Sequence, residues 1–355
     1  MSDTSPPATR RPAHGALQFP RFTIDCYNLP LRDPDGDGFI GDRASQTAFR
    51  LLLDERRGDR DTGREDPFGD TPSRELKKDA IDLVLVGGDP DAAHLVHAAV
   101  EDYAGRLCEV VRCFLSQPQW QGVERIVLGG GFQESEAGGL AMRRAARMLG
   151  RAGAGVTLHD IDSDADDAGL LGWVHMTPEQ ARTGHDAFLA IDIGGTKIRC
   201  GIVAHRFDEA ADGSRARVVE RTDWRHANDD PEPSEAVTHV AGMLNGLIAQ
   251  ARTTGLRLAP FVGIACPGQI RDDGSIAHGA QNLPGDWEAD GFNLPRELRQ
   301  RLDPIDGAAA GIAMHNDAVV QGLSEYPRMR DAKRWAVLTI GTGLGNASYT
   351  NLRPG

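Results

Sequence analysis

The chain has few cysteines and no excess of basic residues. Five cysteines occur in 355 residues, and none belongs to a CxxC pair: Cys26, Cys108, Cys113, Cys200 and Cys266. Zinc sites and disulfide frameworks usually show characteristic cysteine spacing, so buried thiols are the expected state. The formal net charge of -13 disfavours nonspecific binding to nucleic acids or anionic membranes, which attract Lys- and Arg-rich faces. We therefore expect small-molecule partners, no nucleic acid and no membrane.

Long apolar runs are also absent. No stretch approaches the roughly 20 apolar residues that cross a bilayer, and the opening MSDTSPPATRRPAHG lacks the apolar core of a secretory signal. We expect a cytoplasmic protein. Because 40% of its 355 residues are hydrophobic, the chain can bury more than one core, which predicts two lobes.

Three segments contain little that could be buried. Residues 1–20 are rich in Pro, Ser, Thr and Arg, which predicts a disordered tail. Residues 54–73 alternate charges with Gly and Pro, which predicts a solvated loop. Residues 33–42, DPDGDGFIGD, imitate a calcium loop, but its twelfth position is Ala44, which has no carboxylate. An acidic turn is therefore favoured over a calcium site.

The remaining chain alternates helix and strand patterns. Asp89 can cap a long helix with apolar residues at helical spacing. RIVLGGGF (125–132) predicts a strand that runs into glycines, and it is followed by an amphipathic helix over 138–149 and the strand GVTLHDI. A further helix begins near Asp166. This order predicts an α/β protein that binds its ligand at the strand ends.

The stretch FLAIDIGGTKIRCGIV (188–203) predicts two strands joined by a glycine turn. Gly194 and Gly195 let backbone N–H groups approach a phosphate, while Thr196 adds a hydroxyl and Lys197 a charge. Asp192 would repel that phosphate unless Mg²⁺ lay between them, so Asp192 is a candidate metal contact, through water as hydrated Mg²⁺ allows. The alternative is an ordinary β-hairpin with a glycine turn.

Two further glycine turns follow buried strands. TIGTGLGNA (339–347) offers Gly341, Thr342 and Gly343, so that two phosphate-binding turns could hold one nucleotide across a cleft. Gly129, Gly130 and Gly131 are a weaker signal, because a strand-to-helix crossover often needs glycine for packing. Together with the other two turns, they predict a place for an adenine.

The segment HNDA (315–318) supplies a candidate general base for phosphoryl transfer, which the glycine turns do not contain. Asp317 could accept the proton of an attacking hydroxyl, and Asn316 could orient that substrate. The alternative is a helix cap, a common role for both residue types.

These motifs together resemble one family. AIDIGGTK, GIACPG, GAQNLPGDW, HNDA and TIGTGLG are similar, in this order, to motifs of the ROK family (repressor, open reading frame, kinase) of sugar kinases and their relatives. The resemblance extends from about Gly88 to Thr350. It implies a two-lobed actin-like ATPase (ribonuclease H-like) α/β fold with its active site in the interlobe cleft, ATP and Mg²⁺ as cofactors, and a hexose, glucose by default, as substrate. Asp317 would be the general base, and Asn282 and Asn316 would bind sugar hydroxyls. Homodimers are common in this family.

The order of the motifs differs from that of the family. RIVLGGGF and DDAGLLG resemble the end of a ROK chain, yet here they come first. A circular permutation explains this order, and such changes are tolerated where the natural termini lie close together. The larger lobe would then comprise residues 21–163 and 313–355, and the smaller lobe residues 164–312.

Two family motifs are missing. Neither the Glu-x-Gly-His sugar motif nor the Cys-rich zinc motif occurs in this sequence, so we expect no structural zinc and leave the sugar preference open. Weakened catalysis would favour a sugar- or nucleotide-sensing regulator of ROK type, although its usual helix-turn-helix is not visible. A kinase of an amino sugar or another polyol is a third hypothesis, because the fold does not determine the acceptor.

Overall fold

A computed structural model describes residues 13–59 and 65–352. The chain divides into two compact units. The first comprises Met176–His315 with the described part of Met1–Ala16, and the second comprises Leu17–His175 with the described part of Asn316–Gly355.

Strands in the described residues are β1 (Phe22–Tyr27), β2 (Arg125–Gly129), β3 (Thr157–Asp160), β4 (Ala187–Ile193), β5 (Ile198–Ala204), β6 (Arg217–Trp224), β7 (Leu258–Cys266), β8 (Gly311–Asn316), β9 (Arg334–Ile340) and β10 (Leu344–Asn351). Helices are α1 (Gln46–Gly58), α2 (Lys78–Val86), α3 (Pro90–Leu115), α4 (Glu136–Arg151), α5 (Ala165–Leu171), α6 (Glu179–Arg182), α7 (Pro233–Thr254), α8 (Leu294–Arg299), α9 (Asp317–Leu323) and α10 (Tyr326–Met329).

The first unit is organised around a sheet with the strand order β6-β5-β4-β7-β8. Strand β4 lies at its centre, antiparallel to β5 and parallel to β7, and β5 is in turn antiparallel to β6. All seven residues of β4 are buried, as expected for a strand that is covered on both faces. Helix α7 connects β6 to β7 and packs its apolar residues, including Val240 and Leu244, into the same core.

The second unit contains a sheet with the order β1-β10-β9-β2-β3. Strands β9 and β10 form an antiparallel hairpin, β1 pairs antiparallel to β10, and β2 lies parallel to both β9 and β3. Helices α1, α3 and α4 cover this sheet with a large apolar cluster that includes Phe49, Tyr103 and Phe132.

The two sheets have the same strand order when the second one is followed from β9. In the first unit, β4, β5, β6, β7 and β8 occur in chain order. In the second unit, β9, β10, β1, β2 and β3 take the corresponding places. Each sheet thus has the ribonuclease H-like arrangement, and the predicted α/β fold class is confirmed. The two glycine turns, β4 to β5 and β9 to β10, occupy equivalent positions.

Local sequence patterns predicted where α3 and α5 begin to within one residue. Helix α3 begins at Pro90, and the Asp89 carboxylate accepts hydrogen bonds from the N–H groups of Asp91 and Ala92, as the capping pattern predicts. Helix α5 begins at Ala165, one residue before the expected Asp166. None of the helices within 13–59 and 65–352 is long and apolar enough to cross a membrane.

Residues 164–175 lie in the second unit, whereas the sequence boundaries grouped them with the smaller lobe. The physical reason is close packing on α9. A Cβ atom added to Gly172 would lie 1.8 Å from the carbonyl oxygen of Val320, so only glycine permits this approach. Helix α5 and the turn after it therefore support the helix that begins at Asp317.

The solvated loop predicted over 54–73 is wrong at its start, whereas residues 65–72 have no helix or strand and are mostly exposed. Residues up to Gly58 belong to α1, and Arg57 is 7% exposed. Its guanidinium bonds the Asp66 carboxylate at 2.9 Å and the carbonyl oxygens of Gly69 and Thr71 at 2.9 and 2.8 Å. The charged pattern resembles a solvated loop because composition does not predict that the Asp66 carboxylate and two backbone carbonyls bury Arg57.

The two other segments with few apolar residues also form hydrogen bonds or ion pairs. Residues 1–12 of the predicted tail lie outside the described residues, whereas the Gly15 N–H donates to the Met314 carbonyl at 2.9 Å. In the acidic turn, the Arg43 guanidinium pairs with Asp33 at 2.5 Å and with Asp35 at 2.8 Å. These carboxylates are thus compensated by an arginine of the same segment.

Replacing Gly172 by alanine should destabilise the protein, because the added methyl group overlaps the Val320 carbonyl. We expect a loss of about 3 kcal/mol in the free energy of unfolding. Gly150→Ala is the matched control, since nothing lies within 4 Å of its Cβ position in α4, and should be neutral or stabilise by about 0.5 kcal/mol. Urea unfolding of both variants checks this; equal midpoints would contradict the packing argument.

Closing the chain at β1 and β10 should preserve the fold. Phe22 pairs with Asn351, and the Leu352 N–H donates to the Arg21 carbonyl at 3.0 Å, so a turn of about two to four residues can join Leu352 to Arg21. A chain that carries this join and opens after Gly184 should unfold cooperatively. The same join with an opening inside α3, after Gly105, should not fold. Circular dichroism and thermal melts compare the two; failure of the first chain would contradict the topology.

Candidate functional site

The first glycine turn presents open backbone donors. The Gly194 N–H closes the turn by donating to the Lys197 carbonyl at 2.9 Å. In the described part of the chain, the N–H groups of Gly195 and Thr196 have no hydrogen-bond acceptor, and the Thr196 side chain is exposed. Consecutive N–H groups without acceptors form a concavity suited to an anion.

Asp192, at the end of β4 beside this turn, forms a buried ion pair. Its carboxylate is 3.0 Å from the Arg199 guanidinium, and the two side chains are 3% and 16% exposed. Asp192 and Arg199 lie directly opposite each other in the β4–β5 register. Sequence reasoning missed Arg199, although counting the hairpin register outward from the turn would have placed the two charges opposite each other.

Asn282 lies against the same turn. A Cβ atom added to Gly195 would be 3.4 Å from the Asn282 carbonyl oxygen and 3.5 Å from its Cβ. The first unit therefore brings together Asp192, the turn Gly194–Lys197 and Asn282. A second residue that sequence reasoning missed, His226, donates from Nε2 to the Gly194 carbonyl at 2.7 Å.

The second glycine turn is anchored by the start of α1. The Gln46 N–H donates to the Gly341 carbonyl at 2.9 Å, and the Thr47 hydroxyl donates to the Thr342 carbonyl at 3.0 Å. Within the turn, the Gly341 N–H donates to Gly343 at 2.9 Å. Its carbonyls thus accept hydrogen bonds from α1, a helix that follows β1, and no local sequence pattern predicts this contact.

The turn Gly129–Gly131 packs against the end of β9, next to the second glycine turn. Gly130 has φ of +87°, and a Cβ there would be 2.5 Å from the Ile340 carbonyl oxygen. Glycine is required at this position. Lys78, at the start of α2, donates to the Gly131 carbonyl and lies 3.3 Å from Glu134. Lys78 was also missed from the sequence.

Asn316 and Asp317 begin α9 in the second unit. The Asn316 side chain caps this helix, since its Oδ1 accepts from the N–H groups of Ala318 and Val319 at 3.0 and 3.4 Å. The helix cap was the alternative interpretation of this segment, and it is the role of the Asn316 Oδ1 atom in this structure. Asp317, the first helical residue, is partly buried. Ala318 lies close to Gly345, which brings the start of α9 beside the second glycine turn.

Within residues 13–59 and 65–352, no three His, Cys, Asp or Glu side chains are grouped so that they could hold a metal ion. At the first turn, Asp192 contributes a single carboxylate. This donor set fits Mg²⁺ that arrives with a nucleotide, because Mg²⁺ commonly takes one or two carboxylates, phosphate oxygens and several waters.

A double-mutant cycle should detect the buried pair. Arg199→Met leaves the Asp192 carboxylate buried without this partner, so we expect a loss of about 3 kcal/mol in the free energy of unfolding. Combining it with Asp192→Asn should reveal a coupling of about 1 to 3 kcal/mol. Arg257 and Asp186 are the control, an exposed pair at 2.5 Å whose coupling should stay below about 1 kcal/mol. Equal couplings for both pairs, from urea unfolding, would contradict a buried interaction.

Partial similarities connect the chain to solved sugar-kinase structures. The Lmo2764 protein of Listeria monocytogenes is 21% identical over 46% of this chain and 47% of its own, with a TM-score of 0.33. The ROK hexokinase of Thermus thermophilus is 19% identical over 45% of each chain, with a TM-score of 0.28. The hexokinase of Schistosoma mansoni, solved with glucose, is 15% identical over 48% of this chain and 42% of its own, with a TM-score of 0.33. TM-scores of this size do not establish a shared overall fold.

The chain spans less than half of the length of each of these structures. No curated protein matches it. The model of the ROK family, however, matches residues 188–354. That range contains both hairpin glycine turns, Asn282, and the Asn316–Asp317 segment. Residues 188–354 of the chain are therefore similar to the ROK family.

Proposed function

We propose that the protein is a cytoplasmic, ATP-dependent sugar kinase that phosphorylates a hexose hydroxyl, with Asp317 as the general base. The observation that carries the proposal is the ROK match over 188–354, which includes two equivalent glycine turns and Asp317. The match to the ROK family model supports a sugar kinase in general. Glucose as the acceptor, and each residue role below, are parts of the proposal.

The phosphates would be bound by the glycine turns. The N–H groups of Gly195 and Thr196 point to no acceptor within the described residues, which supports a role in anion binding. The turn Gly341–Gly343 would also contact the nucleotide, and Gly129–Gly131 would lie along the adenosine. Lys197 would add a positive charge to the first turn.

Mg²⁺, when bound with the nucleotide, would neutralise phosphate charge that develops during transfer. Asp192 would contact it through water, since the Asp192 carboxylate is already paired with Arg199 at 3.0 Å. That pair would also limit the repulsion between Asp192 and the phosphates.

Asp317 would take the proton from the attacking sugar hydroxyl, and the resulting oxygen would form a bond to the γ-phosphorus as ADP leaves. Asn282 and Asn316 would hydrogen-bond other sugar hydroxyls. Because Oδ1 of Asn316 caps α9, its contribution to the sugar would come from Nδ2 as a donor. The cap also restricts the orientation of this side chain beside Asp317.

Circular permutation is part of the proposal. The strand order β1-β10-β9-β2-β3 supports it, because following that sheet from β9 reproduces the order found in the first unit. The family's usual end would then precede β4, and the first glycine turn would lie in the middle of the chain for that reason.

Release of ADP from Mg²⁺-ATP should depend on an added sugar. A panel of hexoses, amino sugars and polyols identifies the acceptor, and we expect Asp317→Asn to lower kcat by about 10²- to 10⁴-fold, because general base catalysis contributes that much. Asp91→Asn is a matched control, since Asp91 also lies in the first turn of a capped helix. It should leave turnover unchanged.

Each alternative outcome has a distinct meaning. Turnover that survives in Asp317→Asn would remove Asp317 from the mechanism. Turnover with an amino sugar or polyol alone would keep the kinase and change its acceptor. Binding of sugar or nucleotide without turnover in the unmodified protein would overturn the kinase and favour a sensing regulator.

A further inference from the structure

A buried histidine outside the first glycine turn donates a hydrogen bond to a backbone carbonyl of that turn. His226 opens a short 3-10 helix, His226–Asn228, directly after β6 and is fully buried. Its Nε2 lies 2.7 Å from the Gly194 carbonyl oxygen. The adjacent Ala227 N–H donates to the Thr196 carbonyl at 3.3 Å. Two consecutive residues of one segment therefore bond two carbonyls of the turn.

The protonation state of His226 follows from these contacts. A carbonyl oxygen only accepts, so Nε2 must carry the hydrogen. Nδ1 is buried and has no hydrogen-bond partner among the residues that the structure describes. Burial lowers the pKa of His226, so the ring is neutral at pH 7 and Nδ1 carries no proton.

Neighbouring contacts hold the histidine segment itself. Trp224 stacks on His239 with ring centroids 4.0 Å apart, and its indole N–H donates to Asp229 at 2.7 Å. The Trp224 and His226 rings are 5.9 Å apart. The segment is thus fixed on both sides of His226, and the histidine can act as a rigid support for the turn.

The planarity of the peptide bond transmits this support to the donors. The Gly194 carbonyl and the Gly195 N–H belong to one planar peptide group and point in opposite directions. Fixing the carbonyl against His226 therefore fixes the direction of the Gly195 N–H. In the same way, the bond from Ala227 to the Thr196 carbonyl fixes the Lys197 N–H. Glycine at 194 would otherwise allow this peptide to rotate easily.

We propose that His226 is a positioning residue for nucleotide phosphate, which aims the Gly195 N–H by holding the Gly194 carbonyl. This inference rests on the proposed function, because it assigns a phosphate to the first turn. His226 does not touch the nucleotide in this assignment; it acts through the turn.

The test compares His226→Phe and His226→Gln with a matched control. Glutamine can place its Nε2 donor near the imidazole Nε2, whereas phenylalanine fills the space without a donor. His205→Phe is the control, because His205 is also buried in the first unit and donates from Nε2 to a carbonyl, that of His185, at 2.8 Å, away from the turn.

We expect His226→Phe to weaken Mg²⁺-ADP binding and to raise the KM for Mg²⁺-ATP by about tenfold, since misplaced binding groups commonly cost at least this much. The KM for sugar should change little. His226→Gln should recover most of the nucleotide affinity. His205→Phe should change thermal stability about as much as His226→Phe, with nucleotide affinity intact. Equal nucleotide effects of the two phenylalanine variants, or no recovery with glutamine, would overturn the proposal.

Amide hydrogen exchange separates this inference from the proposed function. Exchange of the Gly194 N–H, which donates to Lys197, should accelerate in His226→Phe and not in His205→Phe. If the unmodified protein binds no nucleotide, the proposed function and the phosphate assignment are overturned, while exchange still decides whether His226 orders the turn. Unchanged exchange at Gly194 would overturn the positioning role itself. If His226→Phe does not fold, His226→Asn replaces it, because its shorter amide does not reach the carbonyl.

Discussion

A backbone constraint underlies both candidate phosphate turns. A tight turn between two central strands exposes carbonyl and N–H groups, and each buried group needs a partner. In the first turn, His226 and Ala227 supply donors to the carbonyls. In the second turn, Gln46 and Thr47 do so. Because the carbonyls are satisfied by protein, the opposite side of each peptide can present its N–H to a ligand.

Both glycine turns thus have their carbonyls bonded by protein donors, but different residues supply the donors. The first unit uses a segment after β6, and the second uses the start of α1, which follows β1. Strands β6 and β1 occupy corresponding places in the two sheets. In each unit, the residues that donate to the turn carbonyls therefore follow the antiparallel edge strand, which is β6 in the first unit and β1 in the second. This correspondence follows from the topology, because that chain leaves its sheet near the hairpin turn in both cases.

Local sequence patterns predicted the helices α3, α4 and α5, the strands β2 to β5 and the position of each glycine turn. The Asp89 cap, the helical spacing in α3 and the alternation of strand and glycine all depend on residues a few positions apart. Arg57, Lys78 and His226 were missed because each donates to a backbone carbonyl, in two cases beside a carboxylate, and that carbonyl can be far along the chain, such as Gly131 for Lys78. A carbonyl is present at every residue, so sequence carries no signal for which one is chosen. Arg199 is the exception, since the hairpin register places it opposite Asp192.

The start of α9 shows how packing can support chemistry that local sequence suggests. Asn316 caps the helix, so a substitution there changes both the cap and the side chain beside Asp317. Gly172 lets the turn after α5 approach the Val320 carbonyl, and Gly345 lets β10 approach Ala318. Both contacts hold α9 at its first residues and its middle. If Asp317 acts as the proposed general base, it needs this rigidity, because small displacements of a general base reduce its effect sharply. The glycines at 172 and 345 are therefore as much a part of the Asp317 arrangement as the Asn316 cap.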